Sequence, residues 1–304
     1  MERWVVLAAG CAIQCVLGGI YAWSIFTPYL IADYSLNSGQ CGLIFGLSIL
    51  VFTSVMIFSG WFVTHRGARY TALIGAFLYM AGYVTASFSG GSFTLLLFAV
   101  GVVAGAGIGF GYVCPLTAGM KWFPNRKGLV TGVAVAGFGG GAILLTAVAE
   151  RLLNNGMDVL LFFRWFGICA GLILLVAATL LAEPPEADSA PQSVGFRANL
   201  FSRPFGLVCA GMFAGTFAGL LIIGNLLPLT MQAGLSESEA TVAVSVFAAG
   251  NALGRVVWGA IFDRVGYICI ALVVAAGILL MLNLDAFLPK VVKKDRQIQR
   301  ISHV

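Results

Sequence analysis

Arg255 is the residue whose type and setting most need a chemical explanation. It stands inside the apolar stretch 240–262, about four residues past the middle, or about 6 Å at 1.5 Å per residue. A cation at that depth of a bilayer costs at least about 2.5–3.5 kcal/mol to insert. A carboxylate ligand would offset the cost, because the guanidinium fork binds it bidentately and stays charged at any working pH. On the same face lie Ala248, Asn251, Ala252 and Gly259, small or polar residues that suit a wet cavity better than lipid. Two other readings stay open: the side chain snorkels towards the helix end about seven residues away, or it pairs with a backbone carbonyl. In the first apolar stretch, Gln14, Gly18, Tyr21, Ile25 and Pro28 share a helical face by their spacing of four and three. Gln14 and Tyr21 could donate hydrogen bonds to a carboxylate, and Tyr112 could do so from another stretch. Each tyrosine equally suits packing or an interfacial anchor. Trp23, Asn225 and Phe138 are further candidates, and Arg164 reads as an anchor near a helix end.

Other chemistries lack their residues. The two histidines, His65 and His303, form no metal cluster, and no phosphate-binding GKS or GKT loop is present. Asp33 and Asp285 lie at or beyond the ends of apolar stretches, so no mid-span acid offers itself as a proton carrier. Exchange or uniport is favoured over proton coupling. The 7 cysteines form no CxxC pair and read as small packing residues. With no nucleophile–base pair, no metal and no cofactor motif, the expectation is a protein that is not an enzyme.

The elements that must position these residues are transmembrane helices. The chain is 60% hydrophobic and 10% charged, with a mean hydropathy of +0.98, whereas soluble domains carry about 25% charged residues. Breakers and charges delimit nine spans of helix length: 4–30, 42–63, 70–88, 93–117, 128–149, 159–182, 205–231, 240–262 and 267–288. The first is too long for a cleaved signal and is kept as a helix. Arg3, Arg66, Arg69, Lys121, Arg126, Lys127, Arg197, Arg203 and Arg264 would all lie on one side, against Arg151 and Arg164 on the other. That asymmetry puts the N-terminus in the cytoplasm of a cell with this protein in its plasma (inner) membrane. The net charge of +5 is thereby a matter of topology, and nothing calls for nucleic acid. The organisation expected is an N-terminal six-helix bundle (1–182), a cytoplasmic linker rich in proline and charge (183–204), a partial second bundle of about three helices (205–288) and a basic tail (289–304). Lys290, Lys293, Lys294, Arg296 and Arg300 would place that tail on the wrong side after nine spans. Either the last span does not cross, or the chain stops short of its natural architecture.

An internal repeat supports two halves. GWFVTHRGAR begins at Gly60 and GAIFDRVGY at Gly259, an offset of 199 residues that also relates Gly67 to Gly266. Duplicated parallel six-helix units are an architecture of membrane carriers. Asp263 and Arg264 can cap helix ends or pair across the bundle, or serve only as topological anchors. Met56 occupies the first-half position corresponding to Arg255, so the charge is not part of a common scaffold. Gly101, Gly105 and Gly109 sit four apart, as do Gly107 and Gly111, giving small-residue faces for close helix packing. Gly132, Gly137, Gly139, Gly140 and Gly141 do similar service further on.

The loop at Gly259, Asp263, Arg264 and Gly266 resembles the major facilitator signature G-x-x-x-D-R-x-G-R, with Tyr267 at the final basic position. The first copy has Thr64 and His65 where the signature has Asp and Arg. The stretch GIGFGYVCPLTAGMKWFPNRKGLVTGVAVAGFGGGA (107–142), with GGIYAWSIF (18–26), resembles the oxalate/formate antiporter family of the major facilitator superfamily. The resemblance implies an all-α integral membrane protein with a facilitator-type bundle. It implies transport of a small carboxylate such as oxalate, formate, pyruvate or lactate, with aromatic walls around a small-acid pocket. It further implies that the helix holding Arg255 carries one of two basic substrate ligands, the other belonging to an eleventh helix beyond this sequence. The expected function is an anion carrier working by alternating access, with Arg255, Tyr21, Tyr112, Gln14 and Asn251 binding substrate and Gly259, Asp263, Arg264 and Gly266 forming a conformational loop. The alternative is a truncated, non-transporting membrane remnant or a partner-binding subunit. The partners expected are the lipid bilayer and a small carboxylate.

Overall fold

The computed structural model describes residues 2–184, 203, 205, 206, 209, 212, 213 and 237–266, with only the backbone described for 237–248 and 251. The linker from 185, most of 205–236 and so most of the seventh expected span, the stretch 267–288 expected as the ninth, and the basic tail lie outside the described residues. The chain divides into two units, Met1–Asp188 with Ala252–Asp263, and Ser189–Asn251 with Arg264–Val304. In the second unit the described backbone is helical through residues 237–251 and ends in a turn at Gly266.

The first unit holds α1 (Glu2–Leu17), a 3₁₀ stretch (Gly18–Ile25), α2 (Thr27–Tyr34), α3 (Ser38–Ala86), α4 (Phe93–Leu96), a π-helical stretch (Leu97–Ala104), α5 (Gly105–Trp122), α6 (Lys127–Asn154) and α7 (Val159–Thr179). Part of α8 (Glu237–Val265) joins it. Among the described residues, five helical segments are long and apolar enough to cross a membrane: Glu2–Ile25, Ser38–Ala86, Phe93–Trp122, Lys127–Asn154 and Val159–Thr179. α3 must count twice. Its 49 residues would stretch about 70 Å as one rod, more than double the roughly 30 Å hydrocarbon core. The rod breaks at Gly67, whose φ of 82° and ψ of 164° belong to a region essentially reserved for glycine. The first six expected spans are therefore present, and the eighth falls within α8.

Two helix starts have a side-chain cap. Asn37 and Gln40 form a reciprocal capping box at α3: Gln40 N–H donates to Asn37 Oδ1 at 2.8 Å, and Asn37 N–H to Gln40 Oε1 at 2.9 Å. Asp158 Oδ1 accepts from the N–H groups of Leu160 and Leu161, both at 2.9 Å, and starts α7. The expected first span differs from one regular helix over 4–30. After Leu17 the helix tightens into the 3₁₀ form and breaks at Phe26 before α2. Gly18 allows this, because a Cβ there would lie 1.7 Å from the Phe138 carbonyl oxygen; the chain passes α6 backbone to backbone.

Glycine faces set the packing of α5. Gly101, Gly105 and Gly109 meet Leu47, Ser48 and Phe52 of the first arm of α3, while Gly107 and Gly75 of its second arm approach each other. The two sequence stripes thus point at two different helices. The interior is aromatic, with Tyr79, Tyr83, Phe26 and Phe163 fully buried. Leu50, Ile57, Phe58, Phe77, Phe98, Leu172 and Val176 are exposed, as expected where the surrounding solvent is hydrocarbon. Polar ties sit at both ends. Lys121 pairs with Glu183 at 2.7 Å, and Trp122 Nε1 donates to the Ala182 carbonyl. At the other end, the hydroxyls of Tyr29 and Tyr34 donate to Asn154 Oδ1 and Asp158 Oδ2.

Candidate functional site

Four rings from four segments meet in the first unit. Tyr21 of the 3₁₀ stretch stands edge-on to Phe138 of α6 with centroids 5.3 Å apart, and Tyr112 of α5 does the same from 5.2 Å. Phe52 of α3 lies 5.3 Å from Tyr112 and 6.2 Å from Phe138. Each pair in such geometry adds about 0.5–1.5 kcal/mol beyond area burial. Close backbone packing assembles the cluster: Gly109 abuts the Phe52 carbonyl and Gly18 the Phe138 carbonyl. Phe52 and Phe138 are buried, Tyr112 is half-buried, and Tyr21 is 46% exposed.

Arg255 is exposed in α8. Its backbone is fixed against α6, where a Cβ on Gly132 would lie 2.3 Å from the Arg255 carbonyl oxygen. The arrangement offers a cation and two hydroxyl donors around an aromatic wall, a chemistry suited to a small anion. Asn251 lies one turn before Arg255 on the backbone of α8, with its side chain outside the described residues.

Gln14 is placed differently from the shared face expected of a regular helix. It is fully buried, while the 3₁₀ stretch carries Tyr21 outwards. Its Nε2 donates to the Tyr112 carbonyl at 3.2 Å. That carbonyl lies in the turn weakened by Pro115, which has no N–H for the Gly111 carbonyl. Gly10 packs on Pro115 itself, where a Cβ would come within 3.1 Å. The Gln14 Oε1 atom is buried without a hydrogen-bond partner among the described residues. Trp23 belongs to the core, with its indole N–H on the Cys41 carbonyl and its ring stacked on Phe163. Arg164 lies 4.5 Å over the Phe88 ring and contacts Ser87 Oγ, which suits an anchor. Asn225 lies outside the described residues. Phe52 is not singled out by sequence; its one pointer is the Gly101–Gly105–Gly109 stripe, which requires some helix to pack there.

The loop residues at the end of α8 form a second arrangement. A Cβ on Gly259 would lie 2.2 Å from the Gly128 carbonyl oxygen, and one on Gly128 would lie 2.3 Å from that of Gly259. At this crossing the Asp263 carboxylate accepts from the N–H of Gly128 at 2.7 Å and of Leu129 at 2.8 Å. It caps α6 in place of Arg126, whose own side chain makes no cap. Arg264, exposed, occupies the last turn of α8, and Gly266 takes φ 61° to end it. Among the described residues, no His, Cys, Asp and Glu cluster could hold a metal.

A profile of the Major Facilitator Superfamily matches residues 8–290. The chain belongs to the Major Facilitator Superfamily. This facilitator is a multi-pass, all-α membrane protein of a transporter family, not an enzyme. It is similar to an oxalate:formate antiporter of Oxalobacter formigenes, 25% identical over 274 residues that cover 87% of this chain and 64% of that protein. The apicoplast pyruvate carrier 1 of Toxoplasma gondii is 25% identical over 244 residues, 58% of this chain and 44% of that one. The human monocarboxylate transporter 11 is 27% identical over 279 residues, 86% and 56% respectively. The chain spans less than two thirds of the length of each of these relatives.

Proposed function

We propose that this facilitator carries small carboxylates of the oxalate, formate, pyruvate and lactate kind by alternating access. The observation that carries the reading is the packing of the Arg255 backbone on α6 at Gly132, the helix that also brings Phe138 into the ring cluster of Tyr21, Tyr112 and Phe52. Arg255 is the substrate's ion partner, and the two phenols donate to its remaining oxygens. The ring wall limits size, admitting an acid of a few heavy atoms. Asn251, four residues before Arg255 in the sequence, is a further proposed ligand. Gln14 acts through Tyr112, bracing the proline-weakened turn from which that phenol projects, a revision of its expected role as a direct ligand. Gly259 and Asp263 hold the α6–α8 crossing, and Arg264 and Gly266 belong to the conformational loop that follows it in sequence. The lack of a mid-span acid in the sequence favours exchange or uniport. The basic loops favour a cytoplasmic N-terminus in the plasma membrane. Names of the relatives that mention oxalate, formate, pyruvate and monocarboxylates support the same substrate class.

The test is uptake of labelled oxalate, formate, pyruvate and lactate into vesicles containing the purified chain. Arg255→Ala is expected to lower uptake about 10- to 100-fold, since a charge-assisted hydrogen-bonded pair contributes about 1.5–3 kcal/mol. Arg255→Lys keeps the charge, loses the bidentate fork and falls between. Equal uptake by Arg255→Ala and the parent overturns the site. Uptake of none of the four acids by the parent overturns the substrate class.

A further inference from the structure

The loop KWFPNRKG, residues 121–128, joins α5 to α6 where two membrane-crossing helices end, at the depth of lipid headgroups. Its residues Trp122, Phe123, Pro124, Asn125 and Arg126 close against Arg3 and Trp4 of α1 around a cavity of about 300 Å³. The Arg3 guanidinium lies 5.6 Å from the Trp4 ring centroid and 5.9 Å from that of Phe123. The two rings are 5.3 Å apart. Arg3 is therefore held by aromatic faces, and among the described residues no carboxylate lines the cavity. Three neighbouring groups are already engaged. Lys121 pairs with Glu183, Trp122 Nε1 donates to the Ala182 carbonyl, and the first free amides of α6 go to Asp263. Two arginines, Arg3 and Arg126, thus line one small cavity whose described walls hold no acid.

A second cavity lies along the same face of α1. Ala8 and Ala12 follow Trp4 at intervals of four, one turn below the next. With Ala9 they face Leu172, Ile173, Val176, Ala177 and Leu180 of α7 and its end across an apolar groove of about 460 Å³. Leu180 stands next to the 182–183 segment that is tied to Trp122 and Lys121, so groove and cavity belong to the same end of the unit. From Leu172 to Leu180 the groove runs about 12 Å at 1.5 Å per residue.

We infer that these two cavities hold one anionic phospholipid, its phosphate between Arg3 and Arg126 and an acyl chain in the α1–α7 groove. Guanidinium forks match phosphate oxygens, Trp4 and Trp122 suit the headgroup zone, and the groove gives the chain an apolar wall. A free phosphate would use the first cavity alone. The lipid uses both, which is why the lipid is the source favoured here.

The experiment is thermal unfolding of the full chain in detergent, titrated with phosphatidylglycerol, phosphatidylcholine or inorganic phosphate, alongside native mass spectrometry of retained lipid. Phosphatidylglycerol should stabilise the parent and stay bound, with phosphatidylcholine and phosphate having little effect. Arg3→Gln with Arg126→Gln should weaken phosphatidylglycerol about thirtyfold, given about 1 kcal/mol for each basic residue at an anionic surface. Ala12→Phe, filling the groove, should weaken it while leaving both arginines in place. Lys127→Gln removes one charge outside the cavity, as each arginine variant does within it, and should change little. The inference fails if the double variant retains lipid like the parent, if Lys127→Gln weakens it as much, or if inorganic phosphate stabilises as well as the lipid. Should the double variant not fold, Ala12→Phe with lipid retention unchanged is itself sufficient to overturn the assignment.

Discussion

The segments beginning at Gly60 and Gly259 have the same glycine frame and different outcomes. Both end in a left-handed glycine, Gly67 at φ 82° and Gly266 at φ 61°. At Gly259 the backbone meets Gly128 of α6 so closely that no Cβ fits, and Asp263 one turn on reaches the α6 amides. At Gly60 a Cβ would meet nothing within 4 Å among the described residues. Thr64, the counterpart of Asp263, turns back to accept no foreign amide and donates to the Trp61 carbonyl at 2.7 Å of its own helix. His65 stacks on Trp61 with centroids 4.4 Å apart. A trans-acting cap needs two things together: a crossing close enough to bring another helix's N-terminus within reach, and an acceptor-only side chain to meet it. A hydroxyl has a donor to satisfy and finds the nearest carbonyl behind it.

The largest effect expected separates the two glycines. Gly259→Ala drives a methyl into the Gly128 carbonyl and should cost about 3 kcal/mol, lowering the unfolding temperature in detergent by several degrees. Gly60→Ala should be neutral or stabilise by up to about 1 kcal/mol, because it adds helix propensity in open space. Equal losses at both positions would dissolve the contrast. Next come the side chains. Asp263→Ala removes two charge-assisted hydrogen bonds at a helix N-terminus and should cost about 2 kcal/mol. Thr64→Ala, on an exposed face, should stay within about 0.5 kcal/mol. Amide exchange at Gly128 and Leu129 gives a local readout: it should accelerate in Asp263→Ala and not in Thr64→Ala.

The sequence already contained much of this. Apolar length and punctuation give the first six spans, and glycine spacing separates the α5 face turned to one arm of α3 from the face turned to the other. The offset of 199 residues pairs the two loops. What spacing does not encode is a change of helical pitch. A face counted at 100° per residue from Gln14 passes through Tyr21, whereas the 3₁₀ stretch from Gly18 separates them, one buried and one exposed. Nor does an amide declare its partner: Gln14 donates to a carbonyl 98 residues away, a contact created by α1 packing on a proline turn. Phe52 is hidden in the sequence because it sits among equally apolar neighbours, of which Phe58 faces outwards and Phe52 inwards. Only the partner helix distinguishes them.

The glycine turns themselves sharpen the comparison at a smaller scale. Gly67 has ψ 164° with its positive φ, a combination that Asn does not share with glycine, whereas Asn tolerates the ordinary left-handed region. Gly67→Asn should cost about 1–2 kcal/mol, and Gly266→Asn a few tenths. Thermal unfolding of the two single variants decides it. A larger loss at Gly266 would mean that its loop bears a constraint beyond its backbone angle.

The smallest effect tests whether a cap within one helix resembles the cap between helices. Asp158 serves α7 with Oδ1 and accepts from the Tyr34 hydroxyl with Oδ2 at 2.5 Å. Partial desolvation, that hydrogen bond and the nearby charges of Asp158 and Asp33 push the Tyr34 phenol up to about 12 from 10. Between those values the folded chain keeps the proton that the unfolded chain has released. The contribution is therefore complete below pH 10 and is lost as pH rises through about 12. Tyr34 is partly exposed, so solvent screening keeps the effect small. Thermal unfolding measured from about pH 9 to about pH 12 should fall more steeply for the parent than for Tyr34→Phe. Equal slopes in the parent and Tyr34→Phe would mean that the phenol on the α7 cap contributes nothing to the alkaline loss of stability.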